Sequence, residues 1–460
     1  MRKTLALLLA VAFLYFVLST PSSINNQSMA ATTKFYTVAN PIPNRYVVVL
    51  ATTDLSPIAN PAPTPKAASP VSAMSAKTSM NSAMSMDSSA IAVATEPAPD
   101  PQVVSTATAL TSTYGGSFSS TWGVALKGFL LNATDAQAIA MSQDGRVAFI
   151  VQDGAIAVGT PDSTPIVMTP DPNADLNPQP NASWGLDRID QRYRPLNNYY
   201  AYVNNGDGVN AYVIDTGILP THYEFSGRAS SVYDAVDSEG GGIDCNGHGT
   251  HVAGTIGGRT FGVAKKVRLF GVRVLNCQGT GTWSDVIDGV NFVTWHSKQS
   301  AQQGTPALAN MSLGGGSNQA VDAAVRNSIR ANVTYIVAAG NGNSDAAAYS
   351  PAEVAEAITV GATDQNDIRA QFSNYGATLD LFAPGVGITS AWIGNDLMIA
   401  TASGTSMSSP HVAGVVALYL QSHRSASPAE VRSALINNST SGVVVNAGQE
   451  SPNRLLFTNY

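Results

Sequence analysis

Charge is scarce in this chain of 460 residues: Asp, Glu, Lys and Arg together make up 12%, and the formal balance is only −7. Without a basic excess there is no face for nucleic acid or for an anionic membrane, so neither partner is expected. Cysteine is nearly missing, and Cys245 and Cys277 leave room for one bridge at most. In an exported chain an even count predicts that bridge, with two buried free thiols as the alternative. Long apolar runs are missing too, apart from Leu5 to Leu18 behind Arg2 and Lys3. That run is short for a membrane span and, with Ser-Met-Ala at 28–30, reads as a secretory signal peptide (1–30) cleaved near Ala30; an uncleaved anchor is the rival. A secreted, extracellular chain with no membrane contact after cleavage is therefore expected.

The length implies two or three units, one of them large. Arg45 to Leu50 reads as a buried strand. From about 56 to 101 the chain is Ala, Ser, Pro and Met with hardly an aromatic, a composition that cannot offset chain entropy, so a disordered insertion is expected there. Its methionines, Met74, Met80, Met84 and Met86, fit low complexity better than a soft-metal site. Helices at about 102–113 and 134–142 and strands near 117–122, 127–132 and 147–153 complete a β-α-β-β-α-β unit, a small α+β ferredoxin-like module within 44–158. Residues 159–183, rich in Pro, Asp and Asn, read as an exposed linker open to cutting.

A large domain, 184–460, follows. Its apolar runs Val209 to Ile214, Val267 to Leu275, Ala307 to Leu313, Val333 to Ala339 and Ala357 to Val360 do not alternate. Helical stretches at Thr250 to Ile256, Trp283 to Lys298 and Gln319 to Ala331 separate them, the pattern of an α/β fold whose parallel sheet is covered by helices on both faces. A capping box at Ser427 to Glu430 announces a last helix. Residues 401–420 pass from Gly, Thr and Ser, through a proline placed in a first helical turn, to Val412 to Leu420, apolar on every side. A serine at the mouth of such a buried helix sits where unpaired N–H groups can hold an oxyanion, which makes Ser406 the candidate nucleophile.

Three other segments carry chemistry. Asp215, in Ile-Asp-Thr-Gly, places a carboxylate at a strand's C-terminal edge. Aspartic proteases use the same triplet but need two, and no second one occurs. His248, flanked by Gly247 and Gly249, has room to reach both a carboxylate and a hydroxyl as a general base. Metal binding with His251 is the rival, but the glutamate of His-Glu-x-x-His is missing. His222, His251, His296, His411 and His423 are expected to be structural or exposed. Asn341 follows an apolar strand, where its amide can donate to an oxyanion.

Asp, His, amide and Ser in this order resemble the signature blocks of the subtilisin-like serine proteases. Within that family the likeness is to the proteinase K group, aqualysin-type enzymes in particular, and Trp184 to Gln191, Asn310 to Gly316 and Ser451 to Leu456 share it. The resemblance implies a subtilisin-like fold, an Asp215–His248–Ser406 triad with Asn341 in the oxyanion hole, and no catalytic cofactor. One departure is Met407-Ser408-Ser409-Pro410 in place of Met-Ala-Thr-Pro, a small-for-small change expected to leave activity. Gly279-Thr280-Gly281 and Ser312-Leu313-Gly314 resemble the two edges between which the family lays a peptide as an added strand. Leu313, Gly314, Ala338, Ala339 and Gly340 would wall the pocket for the residue before the cut, and Trp283 a rim farther along. These segments hold no acidic residue, so an aliphatic or aromatic preference is implied.

The resemblance further implies a Cys245–Cys277 bridge and two structural calcium sites. One would use Asp380 with the carbonyls of Ala355 and Ala357, the other Asp187, Asp190 and Gln191. The N-terminal module resembles the family's propeptide, a folding chaperone and inhibitor, with a mature start near Asn177 or a first cut near Met168. The product is expected to be a monomer acting on proteins and peptides. A catalytically silent binding module and a peptide ligase are the alternatives on the same scaffold; no triad member is lost and no inserted domain covers the cleft.

Overall fold

The computed structural model describes residues 34–51, 96–236 and 241–460. The expected signal peptide, the four methionines and most of the Ala/Ser/Pro/Met-rich stretch lie outside these residues. No helix among the described residues is long and apolar enough to cross a membrane.

The N-terminal module comprises β1 (Phe35–Tyr36), β2 (Pro41–Leu50), α1 (Pro101–Tyr114), β3 (Ser117–Trp122), β4 (Gly128–Asn132), α2 (Asp135–Ser142) and β5 (Val147–Ala157). Local chemistry fixes the helix starts. Asp100 accepts the N–H groups of Gln102 and Val103 ahead of Pro101, and Thr134 forms a capping box with Gln137. The strands lie in the order β1-β5-β2-β4-β3, antiparallel except for β1 on β5. The apolar run of β2 is continuous because both its faces are covered. Tyr46 and Val48 pack towards α1 and α2, whereas Val47 and Val49 join the core of the large domain.

The segment expected to be an exposed linker is docked instead. Most of its side chains are polar or turned outward, with Met168 and Ala174 buried, and its backbone is paired: β6 (Ile166–Val167) is antiparallel to β20 (Met398–Ala402), and β7 (Gln179–Pro180) to β8 (Tyr199–Tyr200). Asp175 is paired with Arg259 at 2.6 Å, and Lys265 donates to Gln179 at 2.6 Å.

The large domain opens with α3 (Trp184–Ile189) and builds on β9 (Asn210–Asp215), β10 (Ala229–Asp234), β11 (Arg268–Arg273), β13 (Ala307–Met311), β15 (Val333–Ala338), β17 (Ile358–Thr363) and β18 (Leu381–Pro384). These run parallel in the order β10-β11-β9-β13-β15-β17-β18, extended by the short β22 (Arg454–Leu455) and β21 (Thr440–Ser441). Strand residues alternate between two cores. Val213 joins α4 (His248–Gly257) and α7 (Thr405–Ser422), while Tyr212 and Ile214 join α5 (Trp283–Ala301) and α6 (Gln319–Arg330). At roughly 1.5–3 kcal/mol per buried aliphatic side chain, both helical layers are firmly held. α8 (Pro428–Asn438) starts at the expected capping box and adds Val431 and Leu435 to the first core. Outside the main sheet, β14 (Gly315–Gly316) pairs with β16 (Tyr349–Ser350), and β19 (Ile388–Ala391) with β20.

The short β12 (Thr280–Thr282) is antiparallel to the end of β5, so the sheet of the N-terminal module continues onto an edge of the large domain. The core beneath is shared: Trp122, Leu126, Leu130 and Val151 pack with residues of α5 and α6. Polar contacts fix the fit. Asp153, fully buried, accepts the Ser284 N–H and hydroxyl and pairs with Arg45 at 2.9 Å, and Asn291 accepts the N–H groups of Val124 and Ala125.

Candidate active site

Four elements end or begin along the C-terminal edge of the parallel sheet, where α/β folds assemble sites. β9 delivers Asp215 as its last residue, and α4 begins with His248. β15 runs into Ala339, Gly340 and Asn341, and Ser406 is the second residue of α7.

Asp215 Oδ1 accepts from His248 Nδ1 at 2.7 Å and from the Thr216 N–H at 2.7 Å, with both side chains buried. Burial opposes a charged imidazole, but the Asp215 carboxylate outweighs it by charge and hydrogen bond, helped by Asp244, and raises the His248 pKa above the ordinary value. The glycines around His248 answer to packing rather than to room for the imidazole. Gly247 has φ +110°, and a Cβ there would fall 2.3 Å from the Trp392 ring; a Cβ on Gly249 would fall 2.1 Å from the Gly217 carbonyl. His251 does not join a metal site: it is buried against the Ile388 carbonyl at 3.0 Å, and burial depresses its pKa to about 3.

Asp244 carries a role that sequence reasoning missed. It accepts five hydrogen bonds at 2.6–2.9 Å, from Thr216 Oγ1, the N–H groups of Asn246, Gly247 and Thr250, and the Thr250 hydroxyl. The loop after Asp215 is thereby tied to the turn that presents His248. Cys245 and Cys277 form a disulfide that joins this turn to the approach to Gly279.

Ser406 sits in the first turn of α7 among N–H groups without intrahelical partners. Its hydroxyl donates to the Ser312 carbonyl at 2.9 Å. The expected hydroxyl–imidazole contact is not made: among the described residues His248 bonds the carboxylate but not Ser406. Such contacts are commonly loose outside the reacting complex. Pro410 lies in the second turn, not the first as expected, because α7 already starts at Thr405. The Ser406 carbonyl, which a residue with an N–H at 410 would engage, accepts the Ser312 hydroxyl at 2.8 Å instead. The departing Ser409 joins this network through Ser312 Oγ at 2.9 Å, and Ser408 Oγ donates to the Ala383 carbonyl at 3.0 Å.

Asn341 is held by its oxygen. Oδ1 accepts both the N–H and the hydroxyl of Thr405 at 2.9 Å, which leaves the amide NH₂ as the group free to serve a ligand. Thr405 is a second residue missed from sequence; a buried threonine at a helix start carries no signal of its own. Gly340, at φ +99°, needs the freedom of glycine to turn the chain there.

A cavity of about 200 Å³ opens between Ser312, Leu313, Gly314, Ala338, Ala339, Gly340, Asn341, Thr405 and Ser406, and Ala157, Val158 and Gly159 of the N-terminal module close its other side. Trp283, first in α5, borders a neighbouring cavity with Ile156. The Gly279–Thr280–Gly281 edge is taken: Thr280 pairs with Ala157 and Gly281 with Ile156, and the Val158 N–H donates to the Gly279 carbonyl at 2.9 Å.

The two expected calcium sites differ. Asp380 is already neutralised by Arg432 at 2.5 Å, and its other oxygen accepts the Thr359 N–H at 3.0 Å. That pairing does not fit a cation with the carbonyls of Ala355 and Ala357. Around Asp187, Asp190 and Gln191 the chemistry does fit. Asp190 Oδ1 is buried without a partner, and burial together with the Asp187 charge pushes the Asp190 pKa up to about 6.

Residues 206–455 match the subtilase family. The chain is 50% identical over 346 residues to the extracellular serine proteinase of Thermus sp. (strain Rt41A), covering 75% of this chain and 79% of the relative. It is 47% identical over 333 residues to alkaline serine exoprotease A of Vibrio alginolyticus, covering 72% and 59%. The crystal structure of a cold-adapted subtilisin-like serine proteinase superposes with a TM-score of 0.57 at 50% identity, covering 61% of this chain and 99% of that one. With the family model matching more than half of the chain and half of the 346 residues aligned with the Thermus proteinase identical, this chain belongs to the subtilase family of serine proteases.

Proposed function

We propose that the protein is a secreted serine endopeptidase, made as a zymogen, in which Asp215, His248 and Ser406 are the triad and Asn341 is the oxyanion donor. The observation that carries this reading is the buried 2.7 Å Asp215–His248 bond on the same sheet edge as Ser406 and the free amide of Asn341. Ser406 Oγ attacks a peptide carbonyl while His248 takes its proton. Asp215 orients the imidazole and stabilises its charged form. The Asn341 NH₂ and the Ser406 N–H hold the oxyanion, and His248 then returns the proton to the leaving amine. Water hydrolyses the ester by the same route. Extended peptides bind along Gly279–Gly281 and Ser312–Gly314, and the cavity walled by Leu313, Gly314 and Ala338–Gly340, without an acidic residue, prefers an aliphatic or aromatic side chain before the cut.

The N-terminal module acts as chaperone and inhibitor, a role supported by its shared core and by its hold on the β12 edge. The name of the extracellular Thermus relative supports secretion. Calcium, held by Asp187, Asp190 and Gln191, would supply the charge that this carboxylate pair lacks. The test is casein hydrolysis by wild type beside Ser406→Ala and His248→Ala, each purified at equal concentration. Loss of turnover by at least about a thousandfold in both is expected; a residual rate within tenfold of wild type would reject the triad.

A further inference from the structure

We infer that Gly159–Thr160 is the first peptide bond this enzyme cuts in itself, and that the glycine before it weakens the enzyme's hold on its own N-terminal module. The inference rests on Ser406 as nucleophile and goes beyond it by naming the bond. Pairing with β12 fixes the chain up to Val158, whose N–H reaches the Gly279 carbonyl at 2.9 Å. The backbone is fixed again from Asp162, whose N–H donates to the Thr401 carbonyl at 2.8 Å and whose carboxylate accepts from Ser403 Oγ at 2.5 Å. Only residues 159–161 lie between these two fixed points, and of these Gly159 borders the cavity that Ser406 lines. The expected start near Asn177 and the expected cut near Met168 are both farther along. Met168 is buried, with its N–H on the Leu397 carbonyl, and Asn177 is tied to the Tyr202 carbonyl at 2.7 Å.

A Cβ on Gly159 would meet no atom within 4 Å, and the glycine borders the cavity without a side chain to place in it. The module is thus held by backbone pairing and by its shared core, but not by the pocket that gives substrates their preference. In the step itself Ser406 Oγ adds to the Gly159 carbonyl carbon and gives its proton to His248. The bond to the Thr160 nitrogen breaks, and that nitrogen takes the proton to become a free amino terminus. Water then releases Gly159 as a carboxylate. Residues 160–183 stay docked through β6, β7 and the Asp175–Arg259 pair.

The full chain would be expressed as wild type, Ser406→Ala, Gly159→Ala and Gly159→Leu, sampled over time for intact mass and amino-terminal sequence. Beyond removal of the signal peptide near Ala30, expected are a first new terminus at Thr160 in wild type and none in Ser406→Ala. In Gly159→Leu the cut would be faster, and the cleaved module retained longer on gel filtration, each by roughly tenfold. Gly159→Ala gives a smaller rise and carries the test should the leucine variant fail to fold. A first terminus elsewhere in wild type, or a cut rate and retention unchanged within twofold in both variants, overturns this inference alone. Cutting of Ser406→Ala at the same bond overturns the nucleophile assignment with it.

Discussion

Replacing Asp244 by asparagine separates positioning from packing at this site. In the native arrangement one oxygen takes Thr216 Oγ1 and the N–H groups of Asn246 and Gly247, and the other takes the N–H and hydroxyl of Thr250. The asparagine oxygen can replace the first, but its NH₂ then faces the Thr250 N–H, a donor against a donor. The Thr250 hydroxyl can rotate to accept, whereas the buried N–H is left unpaired at about 1–3 kcal/mol, and the bonds that remain lose their charge assistance at about 1 kcal/mol or more. A loss of roughly 2–4 kcal/mol follows, with Tm falling about 2–4 °C for each of these in a domain of this size. Stability alone would not identify a positioning residue. The second readout is the pH profile, because Asp244 is among the charges that raise the His248 pKa above its ordinary 6.5. His248 must be neutral to accept a proton, so activity is lost as pH falls through that raised value. Asp244→Asn removes a negative charge, lowers the His248 pKa, and moves the acid limb of kcat/KM to lower pH. With the Asp215 loop no longer tied to the His248 turn, kcat falls by roughly ten- to a hundredfold at little change in KM. Kinetics on a chromogenic peptide from pH 5 to 9, beside thermal unfolding, decide the matter. An unmoved acid limb and kcat within threefold of wild type, whatever the Tm, would refute the positioning role.

Cys245→Ser with Cys277→Ser opens a link spanning 32 residues, and calorimetry should read a loss of about 3–4 kcal/mol on the chain-entropy account; a Tm equal to that of the oxidised wild type would count against it. Asp153→Ala strands Arg45 and the Ser284 N–H at the module's interface, a loss of about 3–5 kcal/mol. Secreted casein activity should therefore accumulate more slowly per cell, and wild-type accumulation would show that docking does not depend on this contact. Chelator should lower the Tm of wild type, and Asp190→Asn should lose that sensitivity while keeping its turnover at 25 °C; since calcium at a hundred times its Kd contributes about 2.7 kcal/mol, a Tm indifferent to chelator would remove the site.

What could be read from the sequence were features that side chains announce locally. Asp215 stands at the end of five buried strand residues, and Ser406 opens a helix whose residues 412–418 are all buried, so a polar residue at either place is conspicuous against its surroundings. Asn341 follows a strand in the same way, and the ferredoxin-like module shows through the buried run Arg45 to Leu50 and the β-α-β-β-α-β order of its elements. The features that escaped depend on main-chain atoms or on pairs distant in sequence. Asp380 finds Arg432, 52 residues later, and that partner is what turns an expected calcium ligand into an ion pair. Ile166 and Val167 keep 62% and 60% of their surface exposed while their backbone joins β20, so composition reported the outward side chains correctly and missed the docking. β12 pairs through N–H and C=O groups that every residue carries, and it therefore accepts Ala155–Ala157 of its own chain by the same bonds that it would offer an extended substrate. Nothing in Ala-Ile-Ala-Val-Gly identifies it as the occupant. Its hold on the edge comes from being covalently close and from the core beneath it, and cutting at Gly159 would remove the first at once while leaving the second. A site that recognises backbone can be occupied by almost any tethered strand, and on the reading proposed here the enzyme's own reaction cuts that tether.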